Sequence, residues 1–137
     1  MTIQEIENTI VDEFSCYEEW LDKYAYLIDL GKNLAPYPED ARDEDHLIKG
    51  CQSRVWLSAR KEDGRLYFEA DSDAVITKGI ISLLVDVYSG RTPAEIAGDD
   101  FDFLERIGLK ENLSPTRANG LVSMVATLRA LAAAAEA

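Results

Sequence analysis

Apolar residues recur at helical spacing through the first quarter of the chain. Ile3, Ile6, Ile10 and Phe14 draw one stripe, and Trp20, Tyr24, Leu27 and Ile28 draw a second. Thr2 followed by Glu5 fits a capping box, in which each side chain accepts from the other residue's free amide. Gly31 stands where the second helix is expected to stop, since glycine tolerates the left-handed conformation that ends helices. From Asn33 to Lys49 the pattern breaks. Pro36 and Pro38 lack backbone donors, and Asp40, Asp43, Glu44 and Asp45 favour solvent. An irregular connector of this length is uncommon in a compact domain unless it serves function, and this one leads to Gly50 and Cys51.

Beyond the cysteine the period changes to two. Val55, Leu57 and Ala59 fall on one strand face and Arg54, Trp56, Ser58 and Arg60 on the other. Leu66, Phe68 and Ala70 alternate with Arg65, Tyr67 and Glu69, and Glu62-Asp63-Gly64 reads as the hairpin turn between them. A further short strand is weakly signalled from His46 to Lys49. Helices then resume. Ser72 or Asp73 is placed to cap an apolar helix from about Ala74 to Tyr88, ended by Gly90. Thr92-Pro93-Ala94-Glu95 combines a cap, a first-turn proline and a capping-box acid. A short helix is expected from Phe101 to Arg106, stopping at Gly108. Ser114-Pro115 starts the last helix, whose Leu121, Met124, Val125, Leu128 and Leu131 form a stripe for burial, with an Ala-rich tail from Ala130. Helices, a small antiparallel sheet, then helices again make an α+β fold, with one domain expected over residues 1–137.

Charge narrows the partners. Lys and Arg number 14 against 26 Asp and Glu, a net charge of -12 that repels phosphate backbones and anionic lipid. No nucleic acid and no membrane is therefore expected, and a protein offering a basic or apolar surface fits better. No apolar run is read as approaching the roughly 20 residues that span a bilayer, and Met1 to Glu7 does not look like a signal peptide. Two cysteines, Cys16 and Cys51, make no disulfide framework, so a cytoplasmic protein with free thiols is expected.

Cys51 is the chief candidate for chemistry. It follows Gly50, which permits a sharp turn, at a loop-to-strand junction; Lys49 and Arg54 are near enough in sequence to favour thiolate over thiol. The bland alternative is a small buried apolar residue that happens to be cysteine. Cys16 reads as packing. His46, the one histidine, is either a base for Cys51 or a surface residue. Arg117 lies four residues before Leu121 and so continues the buried stripe. Pointing inward, it would hold the Cys51 loop or favour a sulfur anion, or else form an ordinary ion pair. No Gly-rich phosphate loop, His-rich metal spacing or CxxC is present, and one poised thiol without other machinery suits a carrier.

Tyr26-Leu27-Ile28-Asp29-Leu30-Gly31, Ile48-Lys49-Gly50-Cys51-Gln52-Ser53-Arg54-Val55-Trp56, Phe68-Glu69-Ala70-Asp71-Ser72-Asp73, Lys78-Gly79, Tyr88-Ser89-Gly90-Arg91-Thr92-Pro93 and Leu113-Ser114-Pro115-Thr116-Arg117-Ala118-Asn119-Gly120 together resemble the SufE family of sulfur acceptors, including its CsdE branch. The resemblance spans nearly the whole chain in order. It implies a fold similar to the IscU and NifU cluster scaffolds. It also implies that Cys51 accepts persulfide sulfur from a SufS-type cysteine desulfurase, stimulates that enzyme, and passes sulfur to a SufBCD-type scaffold complex through SufB. Gly50, Gln52, Ser53 and Arg117 would support the loop and the sulfur anion. Neither a metal nor a cofactor is implied for this chain, since pyridoxal phosphate belongs to the desulfurase; the chain would be a carrier, not an enzyme, and a monomer or a homodimer. The rival from another class is an iron–sulfur cluster scaffold of the IscU type.

Overall fold

The alternation after residue 54 produces the protein's one hairpin among the described residues, 2–136, of a computed structural model. Strand β1 (Val55–Glu62) pairs antiparallel with β2 (Arg65–Ser72), in register from Val55 opposite Ser72 to Glu62 opposite Arg65. Asp63 and Gly64 connect them with φ of 53° and 78°, a left-handed pair whose twist matches that of the strands. Val55, Leu57, Leu66, Phe68 and Ala70 are buried as the alternation predicts. Ala59 is exposed, because the far half of β1 runs out beyond the core. The weak strand signal at His46–Lys49 shrinks to one bridge, Leu47 against Trp56, with the Ile48 N–H donating to the Val55 carbonyl at 2.8 Å.

Helices α1 (Ile3–Ser15) and α2 (Trp20–Lys32) precede the hairpin, and α3 (Val75–Tyr88) follows it. The Thr2–Glu5 capping box is present on α1. Helix α3 packs against both β2 and α2, which is why residues on several of its sides are buried. Gly31 does not stop α2, which runs on to Lys32. Its role is contact: a Cβ on Gly31 would lie 2.9 Å from the Gly79 nitrogen, and one on Gly79 only 2.2 Å from the Leu27 carbonyl oxygen. The two backbones touch there. Neither Ser72 nor Asp73 is the N-cap of α3; Ala74 is. The Ser72 hydroxyl donates to the Arg54 carbonyl (2.8 Å) and accepts from the Ala74 N–H, while the Asp73 carboxylate accepts from the Arg54 N–H (3.0 Å). Both residues therefore tie the end of the cysteine loop to the start of α3.

The connector is pinned rather than slack. It contains two 3-10 turns, Glu39–Ala41 and Glu44–His46. Tyr37 is buried, with its hydroxyl 2.6 Å from that of Ser58 on the outer sheet face. Arg42 stacks over Tyr37 and Trp56 and pairs with Asp71 at 2.6 Å, and Lys78 joins the same carboxylate at 3.2 Å.

The C-terminal half wraps the other side. Helix α4 (Pro93–Ala97) carries its Thr92–Glu95 capping box. Helix α5 (Phe103–Ile107) starts two residues later than the sequence predicts, because Phe101 takes a left-handed φ of 59° and stacks on Tyr88 with centroids 4.3 Å apart. Helix α6 (Pro115–Glu136) packs on α4, and Leu121, Met124, Leu128 and Ala132 point inward. By length and composition alone α6 is apolar enough to cross a membrane, an 18-residue window within Pro115–Ala135 having a mean hydropathy of 1.4, but Arg129 interrupts that stretch and Leu121, Met124, Leu128 and Ala132 are buried in the core. The alanines after Ala130 raise that value. Met1 and Ala137, the ends of the expected domain, lie outside the described residues.

One acid lies inside the core. Glu7 on α1 is 2% exposed, accepts from the Tyr88 hydroxyl at 3.2 Å, and faces Asp99, which accepts from the same hydroxyl at 2.5 Å. Burial first, then the hydrogen bond and charge of Asp99, push the Glu7 carboxyl up to about 8, so it is protonated at neutral pH.

Candidate functional site

Gly50 turns the chain with a left-handed φ of 91°, and the turn places Cys51 under the first half of α6. The thiol is half-buried and donates to the Gly120 carbonyl at 3.6 Å. A Cβ at Gly120 would stand 3.5 Å from the sulfur, an ordinary contact, so the thiol lies directly against this turn of α6. Gly50 itself rests on Ser123, one turn further along α6.

A cavity of about 300 Å³ opens beside the sulfur. Gln52 and Ser53 line it from the cysteine loop, and Thr77 and Ile80 from the start of α3. Ser114, Thr116 and Arg117, the cap and first turn of α6, close the other side. The N-terminal ends of two helices thus border one small space, where their partial positive charge favours an anion. Burial acts the other way and pushes the Cys51 thiol up from its ordinary value. Lys49 and Arg54 line a second cavity, of about 240 Å³, together with Cys51, but burial is the cause of the thiol's shift. At rest Cys51 is a protected thiol.

Arg117 reaches the cavity but is exposed, not buried; α6 emerges from the core within its first turn, so the stripe ends at Leu121. Its amide donates to the Ser114 hydroxyl at 3.3 Å, and its guanidinium forms no ion pair among the described residues. Gln52 is exposed and Ser53 half-buried. His46 bonds to the Asp43 carboxylate at 2.6 Å and lines neither cavity that Cys51 lines. Cys16, expected to be buried, is an exposed C-cap of α1. Among the described residues, no three of His, Cys, Asp and Glu converge in an arrangement that could hold a metal ion. Sequence reasoning missed Thr77 and Gly120 as site residues.

The comparisons agree with this architecture. The profile of the family described as SufE, Fe-S metabolism associated domain, matches residues 8–132. An uncharacterized SufE-like protein of Rhizobium meliloti is 42% identical over 125 residues, covering 88% of this chain and 89% of that protein. A second, from Rhizobium etli, is 42% identical over 125 residues, covering 88% and 84% respectively. The solution structure of a hypothetical protein from Thermus thermophilus superposes with a TM-score of 0.77 over 95% of each chain. At 21% identity, that last likeness speaks to the fold alone.

Proposed function

Because the chain belongs to the SufE family, with a role in Fe-S metabolism, we propose that Cys51 is the atom-carrying residue of a sulfur acceptor. The observation that carries this reading is the seat of Cys51: a half-buried thiol on a glycine turn, beside a cavity with room for added sulfur. The donor is a cysteine desulfurase of the SufS type, and the recipient a SufB-containing scaffold.

In the transfer step the Cys51 thiolate attacks the terminal sulfur of the donor's persulfide. A new S–S bond forms at Cys51, the donor's S–S bond breaks, and its electron pair leaves on the donor cysteine as thiolate. That thiolate takes up the proton Cys51 gives away, so neither an oxidant nor a reductant is consumed. Attack requires Cys51 to leave the Gly120 carbonyl and enter the partner. With the connector pinned through Tyr37 and Arg42, the movement is confined to the turn from Lys49 to Arg54. Between transfers the cavity shields the bound sulfur from oxidants, which act on exposed thiolates.

The test is desulfurase turnover. Alanine release from cysteine by a SufS-type enzyme, without added reductant, is expected to rise by up to about one equivalent per equivalent of this protein, the capacity of one Cys51, and not when Cys51→Ser replaces it. Equal stimulation by both proteins would remove Cys51 from the reaction.

A further inference from the structure

Threonines within helices usually return their hydroxyl to the carbonyl four residues back, and two in this protein do so. Thr9 donates to Glu5 at 2.9 Å and Thr127 to Ser123 at 2.8 Å. Thr77 does not. It stands in the first turn of α3, and the residue four back, Asp73, lies before the N-cap, where no helical carbonyl is presented. Thr77 is only 6% exposed, yet its hydroxyl has no hydrogen-bond partner among the described residues. Every fully enclosed side-chain oxygen or nitrogen among those residues is paired. The Thr77 hydroxyl therefore keeps open surface, and the space its residue lines is the Cys51 cavity.

An unpaired hydroxyl held beside a reactive thiol asks for an acceptor. The thiol already gives its proton to the Gly120 carbonyl. A persulfide supplies one. It is more acidic than its parent thiol, so its outer sulfur is an anion near neutral pH. The first turn of α3 has no side-chain cap and that of α6 borders the same space, and both favour negative charge there.

We propose that the Thr77 hydroxyl donates a hydrogen bond to the outer sulfur of the Cys51 persulfide, holding it in the cavity between transfers. This rests on the reading of Cys51 as a persulfide carrier but not on the identity of the donor. Thr77 is a positioning residue for the cargo, and the bond lowers the sulfur's basicity while it is stored.

The test uses inorganic polysulfide in place of a protein donor, in a Cys16→Ser background. The Cys51 thiolate attacks the terminal sulfur of the reagent, which leaves one sulfur shorter with the electron pair. The persulfide is then alkylated with iodoacetamide across a pH series and counted by intact mass. In Thr77→Val, which keeps the shape and removes the hydroxyl, the midpoint of the pH–rate profile is expected to rise by roughly 0.5 to 1 unit. Thr77→Ser should restore it. Should the valine variant fail to fold, Thr77→Ala carries the same expectation. An unmoved midpoint in the folded variant, no restoration by serine, or no sulfur gained from polysulfide at all would each overturn the proposal. Failure with a desulfurase alone, with these shifts intact, would instead count against the donor assigned above.

Discussion

Gly50 lies against Ser123: a Cβ built on the glycine would stand 2.4 Å from the Ser123 Oγ and 3.3 Å from its Cβ. The cysteine turn and α6 are thus fitted to each other at the residue before the thiol. Two penalties meet at Gly50, a left-handed φ and a collision, and they separate by mutation. Gly50→Ala is expected to destabilise by about 1–3 kcal/mol and to lower sulfur loading. Ser123→Ala in the same chain removes the Oγ and should recover its share of the steric cost, but neither the 3.3 Å contact with the Cβ nor the backbone part. A double-mutant cycle in thermal denaturation reads the coupling; strict additivity would show that the two residues do not press on each other.

Arg117 is exposed at the mouth of the cavity without an ion-pair partner among the described residues. It is free to meet charge that arrives, whether a sulfur anion or an acidic partner group. Arg117→Ala is expected to slow transfer by about threefold to tenfold, as loss of one steering charge does. Stability should stay within about 0.5 kcal/mol, as for most surface substitutions. Unchanged transfer kinetics would leave Arg117 without a role.

Glu7 makes stability depend on pH. Its folded carboxyl titrates at about 8, against 4.5 for the ordinary group, because burial and Asp99 disfavour its charge. Between those values the folded protein binds more protons than the unfolded chain, so stability falls as pH rises. The contribution is whole below pH 4.5 and gone above about 8. Glu7→Gln keeps an uncharged hydrogen-bonding group beside Tyr88 and is expected to flatten this decline. The difference should be on the order of 1–3 kcal/mol at pH 8, measured by urea denaturation at several pH values. Parallel pH curves for the two proteins would show that Glu7 is not protonated in the fold.

Local rules made the hairpin and the capping boxes legible. Asp63-Gly64 and the period-two alternation fix the β1–β2 register without help from the rest of the chain. Features decided by distant contacts were not. Gly31 carries the signature of a helix stop, but what requires it is the backbone of Gly79 on another helix. Glu7 stands on the Ile3, Ile10 and Phe14 face of α1, so spacing marked its burial, but the groups that accommodate it, Tyr88 and Asp99, arrive from far along the chain. Cys51 stood out by its glycine turn, whereas Gly120 and Thr77, which the fold brings to the same cavity, lie far from it in sequence and could not be read with it. Arg117 was read inward because a helical stripe gives no sign of where its helix leaves the core.

The most direct test is the mass of the protein after incubation with a cysteine desulfurase and cysteine. A gain of one sulfur, about 32 Da, is expected on wild type and on Cys16→Ser, removed by reductant, and none on Cys51→Ser. Sulfur retained by Cys51→Ser, or never gained by the wild type, would contradict the account.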